Sequence, residues 1–324
     1  MNIAFHTNQL CLRGTEVAIF DYAHFNERLL GNRSFIISRG GNPFAHHPAI
    51  VKKFGTRFSG RVFFYETPAE LEKLLDANRI TLLYAIKAGL KDGVVSAGRK
   101  TVIHVVFGAF DPHGNVYAYV SQWLAEKMTG KRPEGPWPFV PHIVTLPAVE
   151  GDLRSRLGIP PAAMVFGRHG GVETFNLPFV HQAIADTVSR RKDIHFLMMN
   201  TNNFCLHPQI HYLTGVSDVA EKVRFIQSCD AMIHARREGE SFGLAVGEFS
   251  IRNKPVLTWN GGVDQSHLAI LGQRAIRYEN YDQAYRLFNE FRPDPTVNYD
   301  CYSADFCPGK VMEKFKKVFI DGGA

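Results

Sequence analysis

The sequence predicts an α/β protein made of two parallel-sheet domains. Three observations carry this. Strand-like apolar runs alternate with helical periodicity along nearly the whole chain, the 324 residues exceed the usual span of one domain, and a Pro/Gly-rich stretch interrupts the alternation near the middle.

In the first half the strand runs are "NIAFHT", "SFIIS", "RVFFY", "ITLLYAI", "TVIHVVF" and "NVYAYVS". Between the first two lies a helix whose buried face is Ile19, Tyr22, Ala23 and Leu30, with Asn26 as a polar interruption. A second helix opens at Pro68, a favoured first-turn residue, and runs to about Asn78. The break falls at 130–162, where "GKRPEGPWPFVP" and "LGIPP" bracket a stretch read as the interdomain linker. A second series follows: "MVFG", a helix near 177–191, "IHFLMM", a helix near 217–228, "DAMIHA", a helix near 241–252, "PVLTW" and "AIRY". "PGKVMEKFKKVFI" closes the series as an amphipathic helix. The expected domains are 1–145 and 146–305, with the helix of 306–324 packing back toward the first. Two such domains suggest a ligand cleft between them, with ligands at the carboxyl ends of the strands.

Composition narrows the function. A hydrophobic share of 45% with 21% charged residues is that of a soluble globular protein. The net charge of +6 is scattered, with no block of like charge, which argues against a nucleic-acid partner and suits small anionic ligands such as nucleotides. Five cysteines without a C-x-x-C pair suggest free thiols in a reducing compartment, not a zinc site or disulfide framework. His46 and His47 are adjacent and so point in different directions, with no carboxylate or Cys at ligand spacing; no metal is expected. No secretory signal is read at the start, and no apolar run approaches the ~18 residues of a membrane span. A cytoplasmic location is expected, compatible with peripheral membrane contact.

The chemistry concentrates in "RREGESFGLAVGEFSIRNKPV", residues 236–256. Ser241 lies in a G-x-S-x-G stretch at a strand-to-helix turn, where a hydrolase's nucleophile elbow belongs. A triad also needs an acid and then a histidine downstream. Only His267 follows, the acids between are Glu248 on the helix itself and Asp264, and the remaining chain is short for that fold, so a serine hydrolase is disfavoured. The alternative is a pair of ligand-gripping carboxylates, Glu240 in the loop and Glu248 about two turns into the helix. Were the span wholly helical they would lie about 12 Å apart along the axis, roughly the reach from a sugar across a diphosphate to a ribose. The amides near Ser241 to Leu244 open a helix N-terminus, a seat for a diphosphate, and a carboxylate accepts paired hydrogen bonds from vicinal hydroxyls. A solvated loop acid and a first-turn acid would produce the same spacing.

The run from Asp230 to Val256 resembles the donor-site signature of retaining GT-B glycosyltransferases of the E-x7-E superfamily (glycosyl transferases group 1, family 4-like). Asp230, Glu240, Phe242, Gly243, Leu244, Glu248, Lys254, Pro255 and Val256 fall in register, with Asn253 in place of a glycine. The likeness extends to "FHTNQLCLRGTEVAIFDYAHF", where only Gly14 stands at a position that commonly has two glycines. It takes in "TVIHVVFGAFDPHGNVYAYVSQWLAEKM", with His104 and Ser121, and "VFGRHGG", with Arg168. One departure is Glu173-Thr174 where the family often has Lys-Gly.

The resemblance implies two Rossmann-like domains facing each other across a cleft, with a C-terminal helix returning to the first. It implies transfer of a sugar from a nucleotide-diphosphate donor to a glycan, glycoconjugate or other hydroxyl acceptor, with retention, as in polysaccharide biosynthesis. Glu248 would bind the ribose, and Glu240 the sugar hydroxyls as a catalytic residue. Ser241, Phe242, Gly243, Leu244, Arg168, Lys254 and the Gly14 turn would hold the donor, chiefly its diphosphate. His104 would be catalytic at the sugar from the opposite domain. The second cation would come from Arg236, Arg237 or Lys254. No cofactor beyond the nucleotide sugar is expected, and no metal, since no D-x-D occurs in the sequence.

Other readings stay open within that architecture: a nucleotide-sugar epimerase, a phosphorylase, or a catalytically silent sugar-binding relative. An NAD(P)-dependent oxidoreductase is disfavoured. The first β–α turn has no G-x-G-x-x-G, and "ISRGG" lacks the ribose-binding acid, Arg39 suiting at most a 2′-phosphate.

Overall fold

The computed structural model describes residues 1–41, 45–131 and 135–322. Residues 132–134, within the stretch read as linker, lie outside them. The chain divides into two compact units, Met1–Ile143 with Asp305–Ala324, and Val144–Ala304.

In the first unit the order is β1 (Asn2–Thr7), α1 (Gly14–Leu30), β2 (Arg33–Arg39), α2 (Pro48–Arg57), β3 (Val62–Tyr65), α3 (Pro68–Ala77), β4 (Leu82–Lys87), β5 (Lys100–Val105), β6 (Val116–Tyr119) and α4 (Gln122–Lys127). The strands form one parallel sheet in the order β3-β2-β1-β4-β5-β6, β1 pairing Ile3 with Ser34 on one side and with Leu82 on the other. Every residue of β4 is buried, as a strand covered on both faces requires, and this is why such strands read as unbroken apolar runs. Chain punctuation sets the helix ends. Gly31 closes α1 at φ 66°, and Thr67 and Glu70 cap each other's backbone amides at the start of α3.

The second unit repeats the rhythm with β7 (Met164–Arg168), α5 (Pro178–Arg190), β8 (Ile194–Met199), β9 (Ile210–Leu213), α6 (Val219–Ser228), β10 (Ala231–His234), β11 (Gly239–Glu240), α7 (Leu244–Ser250), β12 (Val256–Trp259), β13 (Asp264–Gln265), α8 (Ser266–Leu271), β14 (Ala275–Tyr278) and α9 (Tyr281–Glu290). Its parallel sheet runs β14-β12-β10-β7-β8-β9, and β11 and β13 pair separately. Asp230, just before β10, accepts from the Val165 amide and from Arg154, both at 2.8 Å, tying β10 to β7.

After the short α10 (Ser303–Phe306), α11 (Pro308–Phe315) and the π-helical turn that follows return to the first unit. Phe315 packs on Phe5, Tyr22 and Tyr84, and Phe319 on Tyr84 and His104. No helix among the described residues is long and apolar enough to cross a membrane. All five cysteines are free.

Two differences from the sequence reading are informative. The helix expected near 241–252 begins only at Leu244, because Gly243 precedes it in the left-handed region at φ 87°. A Cβ there would also stand 3.0 Å from the His267 Cβ. The reading also passed over α2, β9, α8 and α9, although α9 carries Ala284 and Phe288 on one buried face behind an Asn280 cap.

Candidate functional site

In the second sheet the chain moves one way from β7 through β8 to β9, and the other way from β10 through β12 to β14. The order reverses between β7 and β10, and in such sheets ligands bind at the carboxyl ends of the strands beside that point. The segments leaving those two strands carry His169 and the stretch Arg236–Glu240. α7 adds Glu248, and the first turn of α6 adds Lys222.

Glu248 is almost fully buried, 5% of its side chain remaining exposed. Its Oε1 takes a hydrogen bond from Lys222 Nζ, and its Oε2 stands 3.1 Å from His169 Nε2. The His169 ring stacks on Phe249 at 5.6 Å. Burial would raise the Glu248 pKa, but the Lys222 charge and the His169 contact outweigh it and leave the group at about 2.

Glu240 is anchored differently. β11 pairs with β13, and a Cβ on Gly239 (φ 72°) would fall 2.0 Å from the Asp264 carbonyl, so the approach needs glycine. The Glu240 carboxylate stands 3.2 Å from His234 Nε2 and accepts from Arg236 at 3.1 Å. With 21% of its side chain exposed, Glu240 remains open to a ligand. Burial again opposes ionisation, and the His234 hydrogen bond and Arg236 charge prevail, holding the pKa at about 2. Arg237 beside them is exposed.

Three expectations need correction. Arg168 was expected at a diphosphate, yet its guanidinium is buried and spends itself on the chain: it donates to Asn200 O, Thr201 Oγ1, Gly171 O and Thr174 Oγ1 at 2.6–2.8 Å. Both Nη groups, four of its five N–H donors, are thus spent on the loops after β7 and β8. Lys254 precedes β12 and sits by Cys229, ahead of β10. That is the amino edge of the sheet, about a strand's length from Glu240, on the order of 13 Å for four residues. His104 is wholly buried inside β5. Its Nδ1 meets Tyr84 Oη at 2.6 Å and its Nε2 meets Val140 O at 2.8 Å. Both nitrogens serve the core, and none is left for a substrate.

The remaining residues lie as follows. Gly14 is exposed as the first residue of α1, past the carboxyl end of β1 in the first unit. Phe242 is buried edge-on to Tyr302, whose hydroxyl donates to Phe242 O at 3.2 Å. Ser241 and Leu244 are half-buried on either side of Phe242 and Gly243. Among the described residues the imidazoles near this loop, His234 and His267, spend their bonded nitrogens on Glu240 and Thr258 and not on Ser241. Lys222, His169, His234 and Thr258 were missed from sequence, and His267 was weighed there only as a partner for Ser241. They come from separate segments and form no local pattern.

The electrostatics make a pH prediction. Burial holds His104 and His267 down at about 3, while Glu240 and Glu248 lie at about 2. All four folded values lie below the unfolded ones, near 6.5 for His and 4.3 for Glu. Between folded and unfolded values the unfolded chain binds more protons, so stability rises with pH there. The contribution is complete above about pH 6.5 and is lost on acidification, first through the histidines and then through the carboxylates. Urea midpoints near pH 7, 5 and 3.5 are expected to fall in that order; a flat series would show that these groups titrate alike folded and unfolded.

No family model matches the chain, and no curated protein does. Solved structures do. HepE of Anabaena in complex with UDP-glucose superposes with TM-score 0.67 at 14% identity, over 98% of this chain and 95% of that one. A glycosyltransferase from Rickettsia africae ESF-5 gives 0.61 at 15%, over 100% and 94%. WaaG, a glycosyltransferase involved in lipopolysaccharide biosynthesis, gives 0.58 at 12%, over 99% and 100%. The fold is GT-B. At these identities the likeness is one of fold, and the chemistry of this GT-B chain has to be argued from its own residues. Among those described, no group of three or more His, Cys, Asp or Glu is arranged to hold a metal ion.

Proposed function

We propose that this chain is a retaining glycosyltransferase that moves a sugar from a nucleoside-diphosphate donor to a hydroxyl of a glycan or glycoconjugate. The observation that carries the proposal is the pair of ionised carboxylates, Glu240 and Glu248, at the switch point of the second GT-B unit. A carboxylate held in that state is an acceptor only, the partner vicinal hydroxyls require. Glu248, the deeper of the two, binds the ribose by exchanging its Lys222 contact for hydroxyl donors. Glu240, the more exposed, binds the sugar.

The amides at Phe242 to Leu244 and the cations Arg236 and Arg237 stabilise the diphosphate as its charge grows. The anomeric carbon–oxygen bond to the diphosphate breaks as the acceptor oxygen bonds to the same face, and the acceptor's proton passes to the departing phosphate oxygen. Glu240 is occupied with sugar hydroxyls, so double displacement through it is not invoked. These side-chain cations do the work a divalent metal does elsewhere, so EDTA is expected to leave turnover unchanged.

The reading is tested with UDP-, GDP-, ADP- and dTDP-glucose. UDP-glucose comes first because HepE was crystallised with it, and MnaA of S. aureus with UDP. A bound donor at 100 times its Kd adds about 2.7 kcal/mol of stability, readable as a thermal shift. Nucleoside diphosphate released only when acceptor is present separates a transferase from an epimerase. An α-linked donor is expected to give an α-linked product by proton NMR, and a β-linked product would sink the retaining assignment.

A further inference from the structure

Behind Glu240 lies a chain of polar groups that the proposed reaction does not use. His234 Nδ1 is 2.9 Å from Thr258 Oγ1, and Thr258 Oγ1 is 3.0 Å from His267 Nε2. The two imidazoles sit 4.5 Å apart by centroid. Thr258 and His267 are fully buried and His234 nearly so. His267 Nδ1, at the far end, is buried without a hydrogen-bond partner.

The proton positions follow from valence. An ionised carboxylate only accepts, so His234 carries its proton on Nε2, facing Glu240. His267 is fully buried and burial holds its pKa at about 3, so its ring is neutral; its Nδ1 has no acceptor to donate to among the described residues, which places the single proton on Nε2, facing Thr258. Thr258 has one proton to give, and Trp259 O at 3.5 Å is too distant to compete for it. Its oxygen accepts from His267, so its proton goes to His234 Nδ1, and both imidazoles carry their own proton on Nε2. The bare lone pair is pushed to His267 Nδ1, where the structure has no donor for it.

We infer that Glu240, His234, Thr258 and His267 form a directed hydrogen-bond chain in which Thr258 fixes the tautomer of both histidines and so holds Glu240 as an oriented acceptor for a sugar hydroxyl. Thr258 and His267 are thus positioning residues that govern affinity for the sugar half of the donor and not for the nucleotide half. The sugar-affinity part rests on the glycosyltransferase reading; the chain itself does not.

The experiment has two arms on the full-length protein. Nitrogen-15 NMR of histidine-labelled protein reads the ring tautomers directly. His234 and His267 are both expected as Nε2–H in the wild type, with His267 released to a mixture in Thr258→Val and restored in Thr258→Ser. A wild-type His234 protonated on Nδ1 overturns the chain, whether or not the valine variant folds. Calorimetry with the nucleoside diphosphates and the corresponding glucose donors of the panel forms the second arm. Thr258→Val is expected to weaken the sugar donor about tenfold while the nucleoside diphosphate changes less than about twofold, with Thr258→Ser restoring the donor. Equal losses for both ligands overturn the positioning role. Wild-type protein that binds none of the panel overturns the donor reading and with it the sugar role, while the tautomers still decide the chain.

Discussion

His104→Ala is expected to destabilise the protein by about 3–5 kcal/mol, because it opens a cavity and strips hydrogen-bond partners from two buried groups. The ring packs against Tyr22, Tyr84, His142 and Phe319, and its loss leaves the Tyr84 hydroxyl and the Val140 carbonyl without it. Denaturant unfolding measures the loss, and donor affinity of the folded fraction is expected to stay near wild type. A variant of wild-type stability with lost turnover would return His104 to the reacting sugar and contradict its place in the core.

Glu248→Gln is expected to weaken nucleotide binding about tenfold to a hundredfold, the effect of losing a charged acceptor worth roughly 1.5–3 kcal/mol. The amide keeps the shape but loses the charge facing Lys222 and His169, so some stability is lost as well. Calorimetry with the preferred nucleotide of the panel separates the two effects, since it reports on folded protein. Ser241→Ala is the matched control and is expected to keep substantial turnover. Unchanged nucleotide affinity in a folded Glu248→Gln protein would remove the basis of the donor-site assignment.

What the sequence made legible follows from how local each signal is. The parallel strands are readable because burial on both faces demands unbroken apolar runs such as Leu82 to Ile86. Glu240 and Glu248 can be proposed as a pair from sequence because one short segment, β11 and the helix after it, carries both. The groups packed around them are not readable. Lys222 arrives from α6, His169 from the end of β7, and His267 from α8, a set assembled only by the sheet order.

Register identifies the strand end a residue occupies, but not the direction its side chain takes. Arg168 lies at the end of β7, and its guanidinium turns back into the protein. Lys254 falls in register with a donor motif while standing at the opposite edge of the sheet. His104 lies three residues before Phe107, which is 46% exposed beyond the end of β5, and the strand encloses the histidine completely. A strand interior buried on both faces has no ligand-facing position, so this third error was avoidable from the apolar run itself.

The return of α11 to the first unit bears on how the polypeptide is made. Val144–Ala304 is one uninterrupted stretch, whereas the first unit is split around it. A ribosome therefore delivers every residue of the later unit before the earlier one has received Phe315 and Phe319, the rings that close over Tyr22 and Tyr84. Order of synthesis and order of completion are inverted. The portion of the first sheet made early has to wait, with an aromatic face uncovered, while an entire second domain emerges behind it.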